Sequence, residues 1–361
     1  MASQQRGKTP EIKIKKVEKP PYMTDPSKLG RFSVKNIIFE RVTSDPSWKG
    51  YMQMYDEKVP SIVEEGRPGY SRVDFALDYA SWIVHDAFEG GVSHSKIKLY
   101  RNPACTVGVD WAKTKHTFDN LRQASAYAKR AARFFGATLV GICRLNENWL
   151  YAEADIPEGF ENVVVLAVVM DAEGVATSPG VPAAGAIGLG YSKMCFILAC
   201  LGEFIRNLGY EAIQCGNDTA LSIPLAIDTG LGELGRNGLL ITPEYGSRVR
   251  LCKIFTDLPL EPDSPIEFGV REFCKKCRLC AKNCKAKAIS EEGEPSFEVA
   301  CRSNNLGTLK WYVNAELCYN FWCENGIDCS TCIKVCPYDM ASTKKTLASS
   351  EFWRQTKTEK T

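Results

Sequence analysis

Apolar positions in DNLRQASAYAKRAARFFG recur three or four residues apart, and Leu121, Ala124, Ala128, Ala131 and Phe135 share one stripe. That spacing predicts a helix with one buried face. Lys129, Arg130 and Arg133 gather toward its C-terminal end and Gly136 follows, as a helix stop requires. A similar period runs from Val73 to Phe88. Elsewhere the pattern changes. TLVGICRL and SRVRLCKIFTDL read as strands, and the apolar run VVVLAVVM, Val163 to Met170, predicts a strand buried on both faces. In SPGVPAAGAIGLGYSKMCFILACLGEFIRNLGY a Gly/Pro-rich loop is expected to lead into a helix of about 18 residues beginning near Leu189. GLGELGRNGLL is a second glycine-rich passage. Helices and strands mix without regular βα alternation, which predicts an α+β fold.

Residues 1 to about 30 carry Lys and Pro with little apolar period and read as an extended arm. The tail from Ala341 is Lys/Thr/Ser-rich and reads as peripheral. The longest apolar run is Val163 to Met170, against about 20 residues for a spanning helix, so no transmembrane segment is expected. The opening residues hold no apolar signal core; as written this points to the cytoplasm, unless a leader has been removed. With 361 residues, 45% hydrophobic and 24% charged, the chain has the composition of a globular protein of roughly two domains. A net charge of +2 leaves no electrostatic footprint for nucleic acid.

Cysteine changes the picture: there are 16, with 10 between Cys274 and Cys336. Cys274, Cys277, Cys280 and Cys284 follow the x2-x2-x3 spacing of a bacterial ferredoxin, in which the fourth cysteine ligates the other cluster of a pair. Lys285 stands where proline is usual. Cys329, Cys332 and Cys336, followed by Pro337, repeat the motif without its first member, a place that Cys318 or Cys323 can fill. Crossing the fourth ligands assigns one [4Fe–4S] cluster to Cys274, Cys277, Cys280 and Cys336, and a second to Cys318, Cys329, Cys332 and Cys284. A pair of zinc sites is the alternative. The doubled spacing and the terminal Cys-Pro favour iron. Cys105, Cys143, Cys195, Cys200, Cys215 and Cys252 read as small buried hydrophobes, and Cys301 is unassigned. Clusters move single electrons, so the residues ahead of them must hold whatever receives those electrons.

In chain order, LGYEAIQCGND, PLAIDTGLGELGRNGLLITPEYGSRVRL, FTDLPLEPDSPIEFGVREFC and NNLGTLKWYVNAELCYNFW together resemble corrinoid-dependent reductive dehalogenases, strongly over about residues 160 to 340. The resemblance implies a nitroreductase-like corrinoid-binding domain with a C-terminal bacterial-ferredoxin-like module of two [4Fe–4S] clusters. The corresponding divisions are an N-terminal arm and cap (1–70), the catalytic domain (71–262), the ferredoxin-like domain (263–345) and a tail (346–361). It implies that R–X, two electrons and a proton give R–H and halide at a cobalt(I) corrinoid held base-off. It also places Cys318, ahead of Phe321 and Trp322, on the second cluster.

The family's catalytic tyrosine falls by resemblance on Tyr191, its polar partner on Asn217 and its arginine on Arg250. A phenol of ordinary pKa, about 10, is a slow acid unless tuned, and a fixed guanidinium nearby favours the phenolate. The bland alternative pairs Arg250 with a carboxylate such as Glu244. Gly188, Gly190, Gly230, Gly232, Gly235 and Gly238 look like a cradle in which backbone approaches a flat cofactor, although each alone reads as a turn or cap. Met194 and Trp322 are expected as cofactor or pocket walls. His85, His94 and His116 lie in no D-x-H-x-x-G setting that would ligate cobalt, and read as surface or packed residues.

Expected partners are a small organohalide and an electron-donor protein or membrane-anchored partner, with no nucleic acid. Respiratory relatives carry a twin-arginine leader and work outside the cytoplasmic membrane. Two rival readings share parts of this pattern. Epoxyqueuosine reductase, a tRNA-modifying relative, uses a carboxylate acid and needs a basic surface; Tyr191 and the balanced charge argue against it. A non-catalytic iron–sulfur electron-transfer subunit would not need the glycine-rich segments around Tyr191 and Asn217.

Overall fold

The computed structural model describes residues 10–45, 48, 51–87 and 114–339, with the side chains of 51–56 excepted. Cys105, His94 and the 346–361 tail lie outside the described residues. A four-stranded antiparallel sheet runs in the order Leu139–Arg144, Asn162–Val169, Val249–Thr256, Ala212–Cys215. Asn162–Val169 is an inner strand, which explains its unbroken apolar run. Val164, Leu166 and Val168 face one core, with Cys252 and Ile254 of the next strand. Val163, Val165 and Ala167 face the other, with Trp149, Phe255 and the Ser222–Asp228 helix. Each such buried aliphatic side chain contributes about 1.5–3 kcal/mol.

The first core is covered by the Leu121–Phe134 helix and a central helix, Val181–Asn207. Asn120 caps the former by accepting the Gln123 N–H at 2.9 Å. Its buried line runs Ala124, Ala128, Ala132, displaced from the expected stripe, and Leu121 is 44% exposed. Alanines at the contact let the helix lie close to the sheet.

The central helix departs from the sequence expectation. It spans 27 residues from Val181 with Pro182 in its first turn, so the Gly/Pro-rich segment is helix rather than loop. Glycine weakens an isolated helix. Here the neighbours decide, because large side chains from other elements occupy the space that Cβ atoms would take. By length and composition this helix is apolar enough to span a bilayer, but 67% of the relevant window is buried inside the protein.

The arm is tied down rather than frayed. Lys15–Lys16 pairs antiparallel with Ile266–Glu267. Tyr22 donates to Asp228 at 2.6 Å, and the Trp149 indole donates to the same carboxylate at 3.1 Å. Farther along, the Ile38–Ser44 and Tyr51–Glu64 helices pack on the Ala315–Asn325 helix. Arg41 pairs with Glu316 at 2.5 Å, and the Lys58 ammonium donates to the Cys323 carbonyl. A buried Arg248–Asp339 ion pair, 2.7 Å, fastens the sheet to the cysteine-rich region.

Candidate active site

Two packed helices build one wall. Asp78, Trp82 and His85 stand at i, i+4 and i+7 on the Arg72–Ala87 helix, which lies along the central helix. Gly188 makes the contact possible: a Cβ there would come within 2.5 Å of the Trp82 indole. Trp82 stacks on Tyr191 at 5.3 Å and 20°, and His85 meets both rings edge-on at 5.3 and 5.4 Å. The Ser192 hydroxyl, donating to the Ser81 carbonyl at 2.7 Å and accepting the His85 N–H at 3.2 Å, holds the helices in register.

Arg250 shares a sheet face with Cys252 and Ile254, turned toward the central helix. Its stem crosses Gly190, where a Cβ would stand 2.9 Å from Arg250 Cγ. Its guanidinium carbon lies 5.5 Å from the centre of the Tyr191 ring. Arg250 forms no ion pair with Glu244, and its Nε is buried without a hydrogen-bond partner.

Asn217 follows the Ala212–Cys215 strand, in a loop held from below. The buried Lys253 ammonium donates to the Gly216 carbonyl at 2.7 Å, Tyr151 to the Asn217 carbonyl at 3.2 Å, and the Gly216 N–H to Asp218 at 2.8 Å. So fixed, the Asn217 amide donates to the Tyr191 hydroxyl at 2.7 Å.

Tyr191, Asn217 and Arg250 open onto one cavity of about 760 Å³, within the range of sites for large organic ligands. Trp82, His85 and Trp322 contribute to its walls, and Cys284, Cys318, Cys329 and Cys332 also line it. Asp328 lines it as well: burial, reinforced by Asp78, pushes its carboxyl up to about 7 against the opposing pull of Arg250. Asp328 Oδ1 is buried without a partner.

The glycines serve the site differently from the cradle expected of them. None of Gly188, Gly190, Gly230, Gly232, Gly235 and Gly238 lines the cavity. Gly188 and Gly190 make room for Trp82 and Arg250; Gly230 and Gly232 abut the backbone of Ser264 and Ile241; Gly235 and Gly238 abut Asn237 and Val313. Met194 is 2% exposed in the hydrophobic core, away from the cavity wall. Sequence reasoning missed Trp82, Asp78 and Asp328 and read His85 as a surface or packed residue. The first two carried a usable signal, since they share the helical face that also holds His85.

A second, small cavity is lined by Cys274, Cys277, Cys280 and Cys336 together with Arg236. Cys323, by contrast with Cys318, is buried off both cavities. Burial pushes the Cys280, Cys318 and Cys336 thiols up to about 12, with neighbouring thiols adding to the effect. Backbone N–H groups point at several sulfurs, among them Ala288 at Cys284 and Thr331 at Cys329, both at 3.4 Å. Crowded, buried thiols with N–H donors suit thiolates neutralised by metal, since a coordinating thiol is deprotonated outright.

No protein-family model matches the chain. A tetrachloroethene reductive dehalogenase of Sulfurospirillum multivorans is 34% identical over 86% of this chain and 73% of its own length. The chain belongs to the reductive dehalogenase family. Reductive dehalogenases are oxidoreductases, and a second relative, the tetrachloroethene enzyme of Desulfitobacterium hafniense, is also 34% identical, over 76% of this chain and 63% of its own. Among solved structures, a catabolic reductive dehalogenase superposes with a TM-score of 0.66 at 22% identity, covering 90% of this chain and 44% of that one. A reductive dehalogenase whose structure suggests a mechanism for B12-dependent dehalogenation gives 0.67 at 20%, covering 94% and 47%. These reductive dehalogenases share the mixed helix-and-sheet fold, and the chain spans less than half the length of each. Similarity to an epoxyqueuosine reductase of Listeria monocytogenes is confined to 32% of the chain.

Proposed function

We propose that the chain is a reductive dehalogenase that replaces carbon-bound halogen with hydrogen at a base-off corrinoid, with electrons delivered through two [4Fe–4S] clusters. The observation that carries this reading is one cavity bordered both by the Tyr191–Asn217–Arg250 group and by four cysteines. On this reading residues 71–262 form a nitroreductase-like corrinoid domain, 263–345 a ferredoxin-like module, and 1–70 the arm and cap. Cys274, Cys277, Cys280 and Cys336 hold one cluster; Cys318, Cys329, Cys332 and Cys284 hold the one facing the cavity. Among the described residues no three His, Cys, Asp or Glu side chains stand close enough to hold a single metal ion. The doubled cysteine spacing ending in Cys336-Pro337 supports clusters, in which each cysteine binds a separate iron, over zinc.

The cavity also fits a corrinoid: Arg250 Nε and Asp328 Oδ1 are a buried donor and acceptor with no protein partner, ready for the amide groups on a corrin's rim. When bound, the corrinoid supplies two-electron chemistry at cobalt. The chain's own residues do the rest. Because Asn217 donates to the Tyr191 oxygen, the phenolic hydrogen is free to point into the cavity, at the carbon losing halide. The Arg250 guanidinium, 5.5 Å from the ring centre, stands beside the phenol that gives up its proton. Trp82 and His85 pin the tyrosine ring, and Trp322 helps keep water from the reacting carbon. Balanced charge and the restricted similarity weigh against a tRNA substrate, and a bare electron carrier has no use for this cavity. Electrons come from a low-potential donor protein or a membrane-anchored partner.

Anaerobic reconstitution with iron, sulfide and cobalamin should yield a protein that releases halide from organohalides under a low-potential reductant. Tyr191→Phe should then lose about 10²-fold or more of the rate with both cofactors still bound. Protein that takes up zinc without inorganic sulfide, or refuses the corrin, would end this reading.

A further inference from the structure

The Arg236 guanidinium is 1% exposed and stands on the wall of the small cavity beside Cys274, Cys277, Cys280 and Cys336. Four of its five N–H donors go to backbone carbonyls. Nε and Nη2 reach Cys274 O at 3.2 and 3.0 Å, and Nη1 reaches Ser290 O and Glu292 O at 2.8 and 2.7 Å. The Trp311 ring lies 4.1 Å from its central carbon, and the Trp311 indole donates to the same Glu292 carbonyl at 3.1 Å. No carboxylate among the described residues pairs with it. Two acids stand near this cysteine set: Glu233 accepts the Phe268 and Val270 N–H groups, and Asp339 is paired with Arg248. Arg278 lines the same cavity as a second, partly exposed cation. Burying an unpaired cation is costly, and an arginine keeps its charge even there. Such a charge has a use where negative charge comes and goes.

We infer that Arg236 sets the reduction potential of the cluster held by Cys274, Cys277, Cys280 and Cys336, raising it so that this cluster accepts electrons from the external donor. The inference rests on the proposed iron–sulfur reading. The step is the transfer of one electron from a one-electron donor, such as reduced viologen, to the cluster, whose charge becomes more negative by one; no bond or proton changes. A fixed cation at the cavity wall stabilises the reduced form, and net charge is one of the determinants of cluster potential. The Cys318 set lines the other cavity, which Arg236 does not reach, so the effect is selective.

The test is a redox titration of the reconstituted full chain, followed by the low-temperature EPR signals of the two clusters, with the Cys274-set signal identified by its alteration in Cys277→Ser. Arg236→Gln should make that cluster at least tenfold harder to reduce at fixed poise, about 59 mV for a one-electron couple, and leave the other signal in place. Arg236→Lys, which keeps the charge and loses the fork, should stay near the wild-type potential. An unmoved potential in a fully loaded Arg236→Gln, an equal fall in both variants, or failure of both variants to take up this cluster would overturn the role assigned to Arg236. Absence of iron and sulfide from wild-type protein would instead overturn the cluster reading itself.

Discussion

Gly188 and Trp82 occupy each other's space: the indole fills the position a Cβ on Gly188 would take, at 2.5 Å. Because Trp82 also stacks on Tyr191, the missing side chain at Gly188 fixes the orientation of the tyrosine. Gly190 does the same for Arg250.

Gly188→Ala should therefore displace Trp82 and loosen Tyr191. Overpacking of this kind costs about 1–3 kcal/mol, and halide release should fall while iron, sulfide and corrinoid contents hold. In a Trp82→Ala background, adding Gly188→Ala should cost little further stability, because the clashing indole is already gone. A Gly188→Ala protein with wild-type turnover would separate the Trp82 contact from the chemistry.

Lys253 should matter to the same site from the opposite face of the sheet. Its ammonium, buried and bonded to Gly216 O and Ser222 Oγ at 2.7 and 3.1 Å, holds the loop that presents Asn217. Lys253→Met keeps the volume and removes the donor. The expected result is a fall in kcat similar to that of Asn217→Ala, about tenfold for one lost orienting hydrogen bond, with little further loss when the two are combined. Additive losses in the double variant would show that Lys253 acts on folding rather than through Asn217.

How much of this was legible depended on whether a residue's neighbours are local. Asn162–Val169 announced itself, since a strand covered on both faces needs apolar residues throughout. The start of the central helix did not. Its glycines look like loop residues until Trp82 and Arg250, distant in sequence, are seen filling their faces. Only those contacts show that Gly188 and Gly190 make room for side chains, and only the packed core shows where Met194, three residues after Tyr191, is buried. Asp78 and Trp82 were readable in principle from a shared helical face, whereas Asp328 reaches the cavity only through the fold. Cysteine spacing left Cys318 and Cys323 open, and only the family resemblance chose between them.

The docked arm should be pH-sensitive. Burial raises the Asp228 carboxyl to about 6 in the folded chain, despite the bonds it accepts from Tyr22 and Trp149. A raised acid stabilises the folded state fully below its unfolded pKa, near 4, and that contribution is lost as pH rises through 6. Asp228→Asn cannot titrate. The stability of the wild type relative to Asp228→Asn should thus decline between pH 4 and pH 7 by on the order of 2 kcal/mol, read from urea unfolding at each pH. A difference that stays flat across that window would mean the carboxyl is not held as the structure places it.

Cys318 and Cys323 sit on one helix, five positions apart in number but different in surroundings. Cys318 borders the large cavity with Cys284, Cys329 and Cys332, and its thiol is raised by burial and by the nearby Cys329 and Cys284. Cys323 lies among Val42 and Tyr319 in a small apolar cluster behind the helix. Serine is a poor ligand for iron but a tolerable replacement for a small buried thiol. Cys318→Ser should therefore reduce bound iron toward a single cluster's worth, about four per chain, and leave the EPR signal of the Cys274 set intact. Cys323→Ser should keep both clusters and show only a modest loss of thermal stability. The reverse result, with iron lost from Cys323→Ser alone, would require the Ala315–Asn325 helix to turn its opposite face to the cavity, and would move Phe321 and Trp322 away from the site as well.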